Sequence, residues 1–420
     1  MENLKTDKEI KISVGSEIGR LNAVLLHRPG VEIERMTPAN AAEALYSDIL
    51  NKRIVDTEYR CFSGALEKVT KVFYVEDIVA ELLSQSETKE RIVRESCAAE
   101  GCDYLVDELM NENAVELTRH LIEGFEYRKG IDSDIFADRR YVLRPLYNLF
   151  FTRDASSSVY DRVLINSMSF DVRKRENILY DAIFKDFFHA ETLNASVWNP
   201  DARTEGGDVQ IAKQGLLCVG TGIRTNALGV DYLAKQFADK GKFNIIAQQL
   251  PMYPESFIHL DMVFTFLDKD KCMMYEPMLR KSHEFAGLQT TLVSVDNGKI
   301  SYRDCGNILE ALRLVGMDLE PVFCGGHDLW NQQREQWHSG ANFFALAPGK
   351  VIGYRRNYNT IDALDKAGFA VLNAEDVAEG KIDVDDYSRC VVTFAASELP
   401  RAGGGARCMT MPVNRDQVTW

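Results

Sequence analysis

The chain has no CxxC pair, no apolar run approaching the length of a membrane span and no basic stripe, and each absence removes a class of function. Its nine cysteines are an odd number, scattered from Cys61 to Cys408, which indicates neither a disulfide framework nor a zinc ribbon. Most of them are expected to be buried, reduced thiols. No GxGxxG or P-loop precedes a helix, and neither HExxH nor EF-hand spacing occurs, so nucleotide and metal chemistry have little support. With 49 basic against 63 acidic residues the formal charge is −14, and the cations are spread along the chain, so nucleic acid is not an expected partner. The acidic excess reads first as a solubility device and only weakly as an attraction for a cationic substrate. Residues 1–17, MENLKTDKEIKISVGSE, are charged throughout and lack a signal-peptide core. A cytoplasmic location without membrane contact is expected.

What is present is a chain of 420 residues at 45% hydrophobic content, enough to bury a large core in one large domain with an insertion, or in two or three domains. Period changes reveal a recurring unit of two short strands joined by a turn, an amphipathic helix and a third strand. Residues 208–250 show it, with a turn near Lys213 and Gln214, a helix capped by Asn226 and FNIIAQQL as the returning strand. Residues 342–375 repeat it, with a turn at Pro348 and Gly349, a helix after Thr360 ending on Gly368, and FAVLNAE as the return. Residues 160–198 do so again, closing on ETLNASVW, while 20–77 and 259–320 fit more loosely. About five units of roughly 40–60 residues would stabilise one another around a common axis with a site at the centre. Residues 78–140 break the pattern with helical periodicity and no strand signal, which predicts an inserted helical subdomain beside a catalytic domain of 1–77 and 141–420.

Four segments carry candidate chemistry. In SELPRAGGGARCMTMP, from Ser397 to Pro412, three glycines lie just before Cys408, and a cysteine after such a loop can be held near backbone N–H groups. Arg407 beside it would favour the thiolate; a surface turn followed by a buried thiol is the alternative. In FIHLDMVFTFLD, His259 and Asp261 alternate with apolar residues and are read as sharing one strand face, where a proton carrier would sit beside a carboxylate. A structural histidine with a capping aspartate is equally consistent with that segment. In TEGGDV, Glu205 and Asp208 bracket either an ordinary turn or a partner for a catalytic histidine. In NLFFTRDASSS, Asn148, Arg153 and Asp154 follow a hydrophobic stretch, and the aspartate is either a turn residue or a third acidic group.

Taken in this order, NLFFTRD, TEGGDV, HLDMVFTFLD and RCMTMP resemble the signature segments of the arginine deiminases, members of the guanidino-group-modifying superfamily. SEIGRLNAVLLHRPG, GTGIRTN and REQWHSGANFFALAPGKVIGYRRN extend the resemblance along nearly the whole chain. It implies a five-bladed α/β propeller of pseudo-fivefold ββαβ modules with a helical insertion, and hydrolysis of L-arginine to citrulline and ammonia without cofactor or metal. By motif matching, the resemblance implies Cys408 as nucleophile, His259 as general acid and base, Glu205 as its partner, and Asp154 and Asp261 as guanidinium ligands. It further implies Asn148, Arg173 and Arg224 at the substrate's carboxylate end, Phe151 on its methylene stem and Asp208 as a supporting residue, in a homo-oligomer, dimer or tetramer. Two positions depart from the family pattern: Gly403 stands where an additional substrate-binding arginine is often found, and Ala155 where proline is usual, which predicts a more mobile loop. Competing expectations are an amidinotransferase of the same fold and a non-catalytic arginine-binding protein; Arg173 and Arg224 weigh against agmatine. GGHDLWNQQ, near 325–333, has no functional account from sequence.

Overall fold

The computed structural model describes residues 10–128, 140–237, 241–280 and 285–420. Within them, five sheets repeat one pairing pattern, an antiparallel pair of strands, a hairpin in four of the five, one strand of which is joined in parallel by a strand returning after a helical crossover, as parallel pairing requires. Ser156–Val159, Arg162–Ile165 and Glu191–Leu193 form one such sheet. Val209–Lys213, Leu216–Thr221 and Phe243–Gln249 form another, widened to five strands by the hairpin of Thr290–Asp296 and Lys299–Cys305. Phe264–Phe266, Lys271–Met274 and Glu320–Phe323 make a third. A fourth holds Phe344–Ala347, Lys350–Tyr354 and Cys390–Phe394, with Ala370–Asn373 at its edge. The remaining sheet draws on distant segments: Met411–Arg415 pairs antiparallel with Leu21–Leu26, which pairs in parallel with Lys71–Tyr74. The result is a mixed α/β fold.

Local chemistry explains the units that were foreseen and those that were not. The hairpin turns fall where Gly215 and Gly349 supply φ of 76° and 74°, and Asn226 Oδ1 accepts the Gly229 N–H at 3.0 Å as a helix cap. Three expectations are corrected. FAVLNAE returns only as the edge strand Ala370–Asn373, because the more apolar Cys390–Phe394 takes the buried place beside Lys350–Tyr354. ETLNASVW is a strand only over Glu191–Leu193; Asn194 then accepts the Ser196 N–H at 2.9 Å and starts the short helix Ala195–Trp198. The helix expected after Thr360 begins earlier, as Tyr358–Lys366, with Thr360 inside it, tied to Glu335 through its hydroxyl at 2.6 Å.

The helices Val75–Leu82, Ser86–Glu100, Val106–Met110 and Ala114–Glu123 occupy the segment without a module pattern. The last ends at Gly124, φ 88°, and the chain enters a two-stranded ribbon of Phe125–Glu126 with Tyr141–Leu143 that the helical periodicity had not indicated. Residues 129–139 of this segment, and residues 1–9 of the charged N-terminal stretch, lie outside the described residues. The helices share one apolar cluster with the neighbouring sheets, Val79, Ile92, Leu117 and Leu121 packing with Leu25, Phe73, Val163 and Met411. All nine cysteines are free and seven are buried. Among the described residues no helix is long and apolar enough to cross a membrane.

Between the first strand and the helical segment, His27 is buried with one ring nitrogen 2.8 Å from Glu76 and the other 3.2 Å from Glu32. Burial opposes its charge, but Glu76 and Glu32 outweigh burial and push its pKa up from 6.5 to about 10. The folded value lies above the unfolded one, so this contribution is complete below pH 6.5 and is lost as pH rises through about 10. His27→Ala is expected to lower the unfolding free energy by about 3–5 kcal/mol at neutral pH, because it strands two carboxylates. Urea melts across this window should show the wild type converging on the variant as alkalinity increases.

Candidate active site

The loop that carries Cys408 is shaped by its three glycines, each for a separate reason. After the turn Leu399–Ala402, Gly403 adopts φ 90°, a left-handed conformation that favours glycine. A Cβ on Gly404 would lie 2.4 Å from the Phe151 ring, and one on Gly405 would lie 2.6 Å from Asn342. The loop therefore packs directly on the floor of the site, and the Cys408 carbonyl accepts the Arg153 N–H at 3.1 Å. Cys408 Sγ receives the Asn342 Nδ2 donor at 3.2 Å and lies 3.9 Å from Asp261 Oδ2.

Arg407 does not leave the sulfur as a thiolate, contrary to the expectation from its neighbouring position. Its guanidinium is buried and spent on Glu17, at 3.0 and 3.1 Å, and on Asp261 at 2.8 Å. Burial, Asp261 and Asp154 together push the Cys408 thiol well above its usual range, outweighing Arg407. The sulfur is therefore protonated at neutral pH.

His259 and Asp261 do not lie on a strand; the strand is only Phe264–Phe266, and His259 caps the tight turn Leu260–Met262. The turn forms because Asp208 Oδ1 accepts the Leu260 N–H at 2.9 Å, a side-chain bond that competes with strand pairing. Both residues are nevertheless buried beside the sulfur loop. His259 Nε2 is 2.9 Å from Glu205, and Nδ1 is 3.8 Å from Asp154. Burial lowers the pKa of His259, but Asp154, Glu205 and Asp208 raise it further, to about 9, so the ring is cationic at neutral pH. For Glu205 burial is outweighed by Arg224 and His259, which hold it ionised well below the usual carboxylate range. Burial pushes Asp208 up to about 7. The glycine pair between these acids is a steric necessity: a Cβ on Gly206 would meet the Arg153 carbonyl at 1.9 Å, and one on Gly207 the His259 ring at 2.4 Å.

Asp154 sits in the short helix Thr152–Ala155, and its Oδ2 accepts Arg173 Nη1 at 2.6 Å. Ala155 is fully buried and its carbonyl accepts the Asn166 N–H at 2.9 Å, so the segment is fastened, not loosened, where the missing proline suggested mobility. Arg173 is also paired with Glu176 at 2.9 Å, and Arg224 with Glu205 at 3.1 Å while lying over the Phe170 ring. Arg401 turns away from the site, towards Asp48 and Glu398.

Cys408, His259, Asp154, Asn148, Phe151, Arg173 and Arg224 line one cavity of about 460 Å³, while Glu205, Asp208 and Asp261 stand behind it. Asp154 Oδ1 and Asp261 Oδ1 are both buried with no hydrogen-bond partner among the described residues. Two unsatisfied carboxylate oxygens beside a thiol and a cationic imidazole suit a planar cation held next to the sulfur. Among the described residues no group of three or more His, Cys, Asp or Glu is arranged to hold a metal ion.

Sequence reasoning assigned no role to Asn342, Glu17 or Glu176, which grip the sulfur loop, Arg407 and Arg173. Asn342 lay in a matched segment, but nothing in its spacing marked it. The segment at 325–333 now has a structural account. Asp328 caps the helix Leu329–Trp337, Gly325 at φ 74° closes on the Gln332 backbone, and Gln332 bonds Glu276 at 2.7 Å. That helix delivers Trp337 to the cavity wall.

The geometry agrees with what comparison finds. The family model described as arginine deiminase matches residues 43–415. Arginine deiminases of Borrelia recurrentis and Clostridium perfringens are 30% and 31% identical over 430 and 433 residues, each match covering 97% of this chain and 98% of the relative. Among solved structures, the N-terminal domain of ArgZ covalently bound to a reaction intermediate superposes with a TM-score of 0.52 at 12% identity, covering 94% of this chain and 98% of that one. SxtG, an amidinotransferase from Microseira wollei, does so with a TM-score of 0.54 at 13% identity, covering 97% and 98%. These two likenesses establish a shared fold, and the whole-length matches to the first group establish more: the chain belongs to the arginine deiminase family.

Proposed function

We propose that this chain hydrolyses L-arginine to L-citrulline and ammonia through a covalent intermediate on Cys408. The observation that carries the reading is the cavity lined by the Cys408 thiol, His259 and Asp154, backed by Glu205 on His259 and by Asp261, with Asp154 and Asp261 each keeping a carboxylate oxygen without a hydrogen-bond partner. Its setting is a ring of five ββαβ modules, a five-bladed α/β propeller made of residues 1–77 and 141–420, with 78–140 as a helical subdomain. The repeated pairing pattern of the five sheets supports this arrangement. We read the protein as a cytoplasmic homo-oligomer, a dimer or tetramer, that needs no cofactor or metal.

The substrate guanidinium enters between Asp154 and Asp261 and takes up their free oxygens, displacing Arg173 from Asp154. The released Arg173, with Arg224 and Asn148, binds the α-carboxylate, and Phe151 covers the methylene stem. Arrival of a cation between the two carboxylates removes the repulsion that keeps Cys408 protonated, so the thiol releases its proton to solvent water, where it is later taken up by the released ammonia, and the thiolate adds to the guanidinium carbon. Cationic His259, held by Glu205 and by the Asp208-capped turn, protonates the departing nitrogen, which leaves as ammonia. The neutral imidazole then takes a proton from water as its oxygen attacks the thiouronium carbon. Collapse breaks the C–S bond, releasing citrulline, and the sulfur regains a proton. Citrulline is uncharged at the reacting end and is no longer gripped by the two carboxylates.

Citrulline and ammonia released from arginine alone test the reading; ornithine formed only when glycine is supplied as amidino acceptor would replace it with the transferase. Cys408→Ala is expected to abolish turnover while still binding arginine, and mass spectrometry of quenched wild type should find an adduct on the peptide containing Cys408. Because His259 must be protonated for ammonia to leave, kcat/KM is expected to fall as pH rises through about 9. A flat alkaline profile would remove His259 from that role.

A further inference from the structure

Asn342 is a buried amide in the segment that precedes the strand Phe344–Ala347, and it uses its whole hydrogen-bonding capacity on the reacting centre. Its Nδ2 donates to Cys408 Sγ at 3.2 Å and to the Asp261 carbonyl at 3.2 Å, with the Met262 sulfur farther off at 3.7 Å. Its Oδ1 accepts the Arg407 N–H at 2.8 Å and the Cys408 N–H at 3.3 Å. The two backbone donors fix which end of the amide faces them, since a flipped amide would set N–H against N–H. The NH2 group is thereby locked towards the sulfur. The third glycine of the loop has the same cause: any side chain on Gly405 would collide with Asn342.

The charged and titratable groups around the sulfur do not supply a donor to it. Asp261 and Asp154 oppose a thiolate, and Arg407 is committed to Glu17 and Asp261. Tyr354, buried beneath the loop, donates its hydroxyl to the Gly404 carbonyl at 2.9 Å, and His259 is bonded to Glu205. Among the described residues Asn342 is the one side chain whose N–H reaches Sγ within hydrogen-bond distance. A neutral donor is also the kind that suits this site, because a second cation beside the sulfur would repel a guanidinium substrate.

We infer that Asn342 is a further catalytic group, which stabilises the Cys408 thiolate by donating to the sulfur both when it attacks the guanidinium carbon and when it is expelled from the thiouronium intermediate. This inference rests on the hydrolytic reading above and deepens it. A hydrogen bond to an anion is stronger than one to a neutral thiol, so the donor acts where charge sits on sulfur and little elsewhere.

The test compares wild type with Asn342→Ala and Asn342→Asp. The aspartate keeps acceptor oxygens for the two loop N–H groups, so the loop stays clamped, but it removes the donor. Alkylation of Cys408 by iodoacetamide, followed across pH by mass spectrometry of its peptide, reads thiolate formation without turnover. The midpoint is expected to rise by about one pH unit or more in both variants, with kcat for arginine falling about 100- to 1000-fold and KM changing only a few-fold. Gly405→Ala, which displaces the amide, is expected to show the same pattern. Should Asn342→Ala not fold, Asn342→Asp decides by the same two readings. A midpoint and kcat within about twofold of wild type in either folded variant would overturn the role. Absence of citrulline from wild type would instead sink the hydrolytic reading, and the alkylation midpoints would still report on Asn342.

Discussion

The floor of the site hangs from one buried guanidinium. Arg407 places its five N–H groups on Glu17, Asp261 and the carbonyls of Gly206, Gly207 and Val209, joining four distant segments of sequence at the residue next to Cys408. Burying a charge costs several kcal/mol unless it is paired and fully hydrogen-bonded, and this one is. Burial would raise Glu17, but Arg407, Arg153 and Arg415 together hold it at about 2, so the pair stays ionised over any ordinary pH. The positions of the sulfur, of Asp261 and of the glycine pair beneath His259 follow from that anchor.

Above the anchor, the cavity keeps opposite charges in temporary partnerships. Arg173 occupies Asp154 and Glu176, Arg224 occupies Glu205, and His259 bridges Glu205 towards Asp154. Asp154, Asp208 and Asp261 each keep a buried carboxylate oxygen without a hydrogen-bond partner among the described residues, as do His259 Nδ1 and Arg224 Nε. A guanidinium, with one charge spread over several N–H donors, complements the free oxygens of Asp154 and Asp261 better than a neutral amide would.

Much of this was legible along the chain, and the misses have physical causes. The hairpin turns at Lys213 and Gly349 and the cap at Asn226 obey local rules, and local rules were enough to find the modules. The motifs carrying Asp154, Glu205, His259 and Cys408 announced themselves together, and they converge on one cavity and its wall. The alternation around His259 and Asp261 suggested a strand because period-2 spacing cannot see Asp208, fifty residues upstream, capping a turn there. Arg407 seemed a free cation beside the thiol because Glu17, its partner, is remote in sequence. Asn342 was silent for the same reason: an amide has no spacing signature, and its meaning lies in side-chain hydrogen bonds that only tertiary structure creates. Ala155 shows the reverse, since burial supplies the rigidity that proline would have supplied through its ring.

The pairing of Leu25 with Met411 has a consequence for the life of the polypeptide on the ribosome. The strand that seats the sulfur loop finds its partner in a segment synthesised long before it, and Glu17 waits from the same earlier stretch for Arg407. A nascent chain can assemble its interior modules in order, but the Cys408 loop has no anchor until the later of these two strands has emerged.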